Sequence, residues 1–537
     1  MKRTVALLLA LFILASACAL GEGSDRFGKY DEPVTITYLS LDNSISTVSG
    51  YDSSNPDRKS IYENAWITGI EEYMNIRLER IIAEDENALA AKVGTGIAAD
   101  NLPDIMQVSK DLYYVLAENG CLQDLSETYE AYKSEYGDKL IELEEAYPDI
   151  LNTAVYNGEF LGYCKCDAFY TNTHVLWVRQ DWLNKVDKEI PTTIDELADV
   201  AQAFVDNKLG GENTVGIEMV DIGSDIMAAY GAVIGVTTDG SMKGAWQEQD
   251  DGTWVYGMCN PNMREALLKE QEFYANGLIK SDFAVAGTLE ENIANGVCGL
   301  LYSPTNYSVQ CMQTCFNNDP DADWVPVHIP TLDGERVQQY TNAGVNVIYC
   351  VSKACEHPEA LFMLVEFSNA MRFADNEEES HRFNVCEDDY QMWNLDPFRD
   401  TVSASSSINK GKMIREGFAN GTPVEEMDAL ARSNYELCLK GANGEREFWG
   451  RYLNFTVGQA LYVPLIDNGY LIAPYNGPTS ETMSLYWNSI DEALQSAMIK
   501  VIMGEDISVY DKAVEEWYNN GGQIITDEVT SYYQQMK

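Results

Sequence analysis

The chain has 537 residues, with 36 Lys and Arg against 85 Asp and Glu, a formal net charge of −49. That acidity excludes phosphate-backbone partners, whose binding rests on Lys and Arg neutralisation, so no nucleic acid is expected among its partners. Hydrophobic residues at 45% and aromatics at 11% exclude a disordered chain, and the length suffices for two or three packed domains.

Lys2 and Arg3 precede an apolar run from Val5 to Leu14, after which Ala15, Ser16 and Ala17 lead into Cys18, the layout of an export signal over residues 1–17. The run is too short to span roughly 30 Å of hydrocarbon as a permanent helix. A lipobox places small residues before a cysteine that takes diacylglycerol, which makes Cys18 the candidate lipid attachment to the membrane. Ala15 stands where such a box usually has Leu, so a plain signal-peptidase cut after Ala17 is the other route the residues allow. No later stretch reads as an apolar span of about twenty residues.

Gly21 to Asp31 reads as a polar tether, and Val34–Leu39 alternates as a strand. Helical spacing through Ile61, Trp66, Ile70 and Tyr73 over 60–75, then a strand over Ile76–Ile82, gives a β-α-β start. Pro103-Asp104 precedes the short apolar strand Ile105–Val108, and a strand end of this kind meets a crevice in a parallel sheet, which makes Gln107, Ser109 and Asp111 candidate contacts. Thr193-Ile-Asp-Glu196 is a capping box opening a helix with Ile194, Leu197, Ala201 and Phe204 as its buried stripe. Near the end, Ile490, Leu494, Met498, Val501 and Ile502 form a helical stripe stopped by Gly504, and Gly521-Gly522 closes the next helix around Val514 and Trp517.

Catalytic motifs are missing: there is no G-x-S-x-G, P-loop, G-x-G-x-x-G or H-E-x-x-H, and only four histidines are present. Eleven cysteines besides Cys18 include no Cys-x₂-Cys pair, so neither a disulfide framework nor zinc is expected; Cys298 and Cys350 read as small core residues. Trp177 and Trp182 also read as core. With 85 carboxylates a glycosidase-like acidic pair can always be drawn on paper, and only its spacing in space would test it.

Leu102-Pro-Asp-Ile105, Leu176-Trp-Val-Arg-Gln-Asp-Trp-Leu183, Pro191-Thr-Thr-Ile-Asp-Glu-Leu197 and the run from Asn476-Gly-Pro-Thr-Ser to Thr526-Asp-Glu-Val529 occur in order along the mature chain. Together they resemble the extracellular solute-binding lipoproteins of carbohydrate ABC transporters, in particular the large oligosaccharide-binding branch of Gram-positive bacteria. The resemblance implies an α/β fold of two lobes, the periplasmic-binding-protein type II arrangement, with 31–171 and 345–415 in one lobe, 172–344 and 416–537 in the other, and ligand in the cleft between them. It implies an oligosaccharide-capturing, non-catalytic monomer at the outer face of the cytoplasmic membrane, delivering to permease subunits and using no cofactor. Relatives often carry a calcium loop after the Pro-Thr helix; Val205–Thr214 has few regularly spaced oxygen ligands, so no metal is expected.

Sugars need flat apolar faces and planar amides or carboxylates. In the implied fold the candidate contacts are Gln107 and Asp111, then Tyr170, Asn172 and His174 at the first crossover, then Asp221 and Asp225. Tyr302, Asn306 and Tyr307 fall where maltose-type proteins carry stacking aromatics; Asn342 and Asn346 flank the next crossing, and Tyr475 precedes the C-terminal helices. Tyr302 and Tyr307 are expected to bracket a sugar ring, with Asn172 and Asp111 supplying hydroxyl contacts. A surface carbohydrate-active enzyme and a peptide or amino-acid receptor of the same fold are the alternatives.

Overall fold

In a computed structural model the described residues are 26–536 apart from 42–51, 53, 142–150, 165–172, 220–222, 237–241, 250, 281–282, 284–288, 342–344, 346, 375, 385–391, 400–405, 422, 425–426, 428, 476, 478 and 481. Cys18 lies outside them. The chain divides into two compact units, Met1–Asp167 with Val345–Ser403 and Ala168–Gly344 with Ala404–Lys537. Among the described residues no helix is long and apolar enough to cross a membrane.

The first unit is built on a five-stranded sheet in the order Ile76–Ala83, Val34–Leu41, Ile105–Ser109, Val347–Val351, Gly162–Cys164. The first three strands run parallel, and Val347–Val351 pairs antiparallel with both of its neighbours. The expected β-α-β start is present, but its helix begins at Ala65 rather than residue 60. Asn64 stops the extension: its side chain accepts from the Trp66 and Ile67 N–H groups at 3.0 and 3.2 Å, satisfying two free donors of the first turn. The Leu-Pro-Asp-Ile motif has a plain structural reading. The Asp104 carboxylate accepts from the Thr37 N–H and hydroxyl at 2.8 and 2.6 Å, fixing the third strand beside the first, while Leu102 packs over Gly96, where a Cβ would fall 2.6 Å from its Cδ2.

The second unit holds a four-stranded sheet in the order Trp324–Val327, His174–Arg179, Leu300–Pro304, Glu218–Met219. Helix Ile194–Asp206 covers it through Ile194, Leu197, Val200, Ala201 and Phe204, and its capping box forms as expected: Thr193 Oγ1 accepts from Glu196 N–H at 3.3 Å and Glu196 Oε2 accepts from Thr193 N–H at 3.2 Å. The Arg-x-Asp-Trp motif is a buried ion cluster. Arg179 donates twice to Asp181, at 2.6 and 2.8 Å, and once to Asp319 at 2.9 Å, with its guanidinium 5.0 Å from the Trp182 ring centre and 5.7 Å from that of Trp324. Residues 404–415, assigned to the first lobe from sequence, belong to the second unit. Helix Ser406–Asn420 packs there against Ala429–Ala442, and Arg415 donates to the Phe455 carbonyl at 3.1 Å.

A second core in this unit joins the C-terminal helices Asn488–Ile502, Ser508–Trp517 and Gln523–Met536 to Met227, Trp246, Tyr256 and Met258. The predicted stripe of Ile490, Leu494, Met498, Val501 and Ile502 is buried throughout. At its centre Asp491 accepts from the Tyr256 hydroxyl at 2.7 Å and the Trp517 indole at 2.9 Å. Nine described cysteines carry free thiols, with Cys298 and Cys350 fully enclosed, as are Trp177 and Trp182.

Candidate functional site

One end of the second unit's sheet gathers the polar residues. Pro304 is in register with His174, and Leu300–Pro304 runs parallel to Glu218–Met219, so the start of the His174 strand and the carboxyl ends of the other two meet there. His174 Nδ1 lies 2.7 Å from Asp225 Oδ2, in a pair with side chains 16% and 7% exposed. The Gln339 amide donates to the His174 carbonyl at 3.2 Å. The Tyr462 hydroxyl bridges the two strand ends, donating to the Thr173 carbonyl at 2.7 Å and accepting from the Thr305 N–H at 3.1 Å.

Several polar atoms of this unit are enclosed without using their hydrogen-bonding capacity. Among the described residues, Thr173 Oγ1, Asn306 Oδ1 and Asn454 Oδ1 have no protein partner. Buried polar groups are ordinarily satisfied, so Thr173 and Asn306, just before the His174–Arg179 strand and just past the Leu300–Pro304 strand, are candidates to meet polar atoms from elsewhere. Asn454 lies in a π-helical turn, Asn454–Gly458, a rare form frequent at functional sites.

Gly223, ahead of the Asp225 helical turn, has φ +98°, and a Cβ there would fall 2.4 Å from Glu270 Oε2. Gly223→Ala is therefore expected to lower the melting temperature of the ligand-free protein and to cost about 2 kcal/mol in urea unfolding, the sum of left-handed strain and a clash with a fully buried carboxylate. An unchanged urea midpoint would contradict it.

The structure sorts the predicted residues. His174, Asp225, Asn306 and Tyr307 belong to the same sheet end; Tyr307 is half-buried beside Met312 and Tyr462, and burial raises its phenol pKa. Tyr170, Asn172, Asp221, Asn342 and Asn346 lie outside the described residues. Three expectations are corrected. Tyr302 is 0% exposed, its ring packed with Leu176, Val178 and Phe204, and burial beside Asp225 and Glu270 pushes its phenol pKa well up, so it has no face to offer a sugar. Gln107 is enclosed in the first unit's sheet with the Tyr38 hydroxyl 3.0 Å from its Oε1. Tyr475 is buried among Trp487, Tyr532 and Tyr533, with ring centres 5.3 to 6.1 Å away. Asp111 is exposed in the first turn of Lys110–Glu118, where a carboxylate favours the helix N-terminus.

Tyr462, Thr305 and Asn454 were missed by sequence reasoning. Tyr462 is 157 residues from the Thr305 N–H it accepts, and no local pattern announces such a pairing. Among the described residues no cluster of three or more His, Cys, Asp or Glu side chains could hold a metal ion.

Comparison with known proteins places the chain among relatives of known fold. The chain is 21% identical over 383 residues to the polygalacturonan/rhamnogalacturonan-binding protein YtcQ of Bacillus subtilis strain 168, covering 67% of this chain and 68% of that one. It is 20% identical over 439 residues to lipoprotein LipO of the same strain, covering 78% of each. The S. pneumoniae ABC-transporter substrate-binding protein FusA, solved with kestose, superposes with a TM-score of 0.59 at 13% identity over 94% of this chain and 99% of that one, which shows a shared fold. The sequence profile of bacterial extracellular solute-binding proteins matches residues 65–367, more than half of the length, and the chain belongs to that family.

Proposed function

We propose that this protein captures an oligosaccharide outside the cell and hands it to the permease of an ABC importer, without chemistry on the sugar and held to the membrane by lipid on Cys18. The observation that supports this reading best is the sheet end where Thr173 and Asn306 keep enclosed oxygens without protein partners near the His174–Asp225 pair. Sugar hydroxyls donate and accept at short range, and they match such an arrangement better than a charged peptide terminus does. The relatives point the same way, since YtcQ is named for binding polygalacturonan and rhamnogalacturonan and the FusA structure holds kestose.

In this reading the His174–Asp225 pair holds a fixed donor and acceptor toward the ligand, and Tyr307 supplies the apolar face. Purified protein is expected to gain melting temperature with galacturonan- or fructan-derived oligosaccharides and not with peptides, by an amount that grows with ligand concentration over Kd. No reducing ends should appear; their release would establish an enzyme instead. Asn306→Ala separates recognition from packing. Its oxygen has no protein partner to lose, so ligand-free stability should hold while Kd rises at least about tenfold, the loss of one hydrogen bond in a desolvated site. Unchanged Kd removes Asn306 from the site.

A further inference from the structure

Asparagine is followed directly by glycine nine times along the chain. The pair is open to a reaction of its own, in which the glycine nitrogen attacks the asparagine side-chain carbonyl carbon, and glycine has no side chain to obstruct the approach. Attack needs that nitrogen stripped of its proton and free to move. A peptide N–H that already donates inside the protein is shielded until its bond opens.

Six of the nine pairs end helices. The N–H groups of Gly120, Gly277, Gly296, Gly421, Gly444 and Gly469 each donate to a carbonyl of the preceding turn at 2.9 to 3.1 Å, and each of these glycines has the positive φ of a left-handed C-cap. Asn520–Gly521 lies within the π-helical turn Tyr518–Gly522, which the Gln523 N–H closes onto the Tyr518 carbonyl. Asn476 is outside the described residues.

Asn157–Gly158 differs from all of these. It forms the whole loop of the hairpin that pairs Val155–Tyr156 with Glu159–Phe160, with φ of 52° and 86°, the two-residue turn that takes positive φ at both positions. Asn157 is exposed, a Cβ on Gly158 would meet nothing within 4 Å, and among the described residues the Gly158 N–H donates to no protein atom. One residue pair, Tyr156–Glu159, closes the tip, so opening that pair alone lets the Asn157 torsions turn toward attack. The feet of the hairpin stay fixed, with the Leu125 N–H donating to the Phe160 carbonyl at 2.7 Å and the Leu161 N–H to the Ala154 carbonyl at 2.9 Å.

We infer that Asn157 is a site of spontaneous covalent modification in the folded protein, losing its side-chain amide through a succinimide formed with the Gly158 nitrogen. The nitrogen gives up its proton and bonds to Asn157 Cγ, and the side-chain nitrogen leaves with that proton as ammonia. Water then opens the ring. Cleavage at Cγ leaves aspartate, and cleavage at the main-chain carbonyl leaves isoaspartate, with one more carbon in the backbone of the loop. Either product adds a negative charge, and neither depends on a bound ligand.

The test incubates the full mature chain in mildly alkaline buffer made with ¹⁸O-labelled water and maps its peptides by mass. Label at Asn157 is expected to accumulate at least about tenfold faster than at the six capped sites or at Asn520, because each of those must first open its helix end. In urea-unfolded chain the same sites should converge. Equal rates in the folded protein, or a capped site or Asn520 faster than Asn157, would overturn the proposal. So would a preference for Asn157 that persists unchanged in urea, which would trace it to neighbouring residues and not to the hairpin.

Discussion

Replacing Arg179 with Met is expected to lower stability by about 3 to 5 kcal/mol, measured as the shift in urea unfolding free energy. The guanidinium is 1% exposed and makes three charge-assisted bonds, two to Asp181 and one to Asp319, between the Trp182 and Trp324 rings. Met fills much of the volume but leaves the largely enclosed Asp181 with only the exposed Lys185 ammonium, 3.3 Å away, in place of the two guanidinium bonds. Desolvation raises the Asp181 pKa, yet the hydrogen bonds and charge of Arg179 outweigh it and hold that carboxyl below its usual range. Such a group stabilises the fold above its unfolded pKa and loses that contribution as pH falls through its folded one. The wild type should therefore shed stability in acid faster than Arg179→Met, and the gap between them should narrow below about pH 4. A constant gap from pH 7 to pH 3 would assign the loss to packing alone.

The same residues show what a sequence can and cannot disclose. Arg179, Asp181 and Trp182 stand within four positions, so their motif is readable although its partner Asp319 is 140 residues away, at the end of a helix, and Trp324 arrives only by strand pairing. Periodicity and capping rules located the Ile194–Asp206 and Asn488–Ile502 helices because their causes are local. The helix start at Ala65 was misjudged because Asn64, a cap only when its side chain turns back onto its own backbone, competes with the apolar Ile61 that extends the pattern upstream. Site residues were legible by position and not by orientation. Tyr302 and Tyr307 lie five residues apart, yet Tyr302 is inside the Leu300–Pro304 strand, whose alternation turns it into the core beside Leu176, while Tyr307, past the strand end, stays half-exposed. His174 and Asp225 are separated by 51 residues, and only the fold brings them to 2.7 Å. The oxygens without partners have no sequence signature, since an unused hydrogen bond is a property of the surroundings.

Asp491 should give this protein a pH dependence opposite in sign to that of Asp181. Burial raises its carboxyl from 3.8 to about 6, against the opposing pull of Lys243 at 3.5 Å and the bonds from Tyr256 and Trp517. A carboxyl whose folded pKa exceeds its unfolded one binds its proton more tightly in the native state. Its stabilising contribution is full below the unfolded value near 4 and is lost as pH rises through about 6. Over that window the contribution amounts to roughly 3 kcal/mol. Glu366, raised to about 7 by burial despite the opposing bonds from the Lys139 and Leu140 N–H groups, acts in the same direction, and so does relief of the −49 net charge. Stability alone therefore cannot isolate Asp491, but Asp491→Asn can. Its amide oxygen still accepts from Trp517, and Glu366 and the surface charge are common to both proteins, so the difference in unfolding free energy between wild type and variant should change by roughly 3 kcal/mol between pH 4 and pH 7, favouring the wild type at the acid end. A difference that stays flat across that range would show that the Lys243 ammonium keeps Asp491 ionised at the unfolded value, and that the charge is fully compensated inside the C-terminal core.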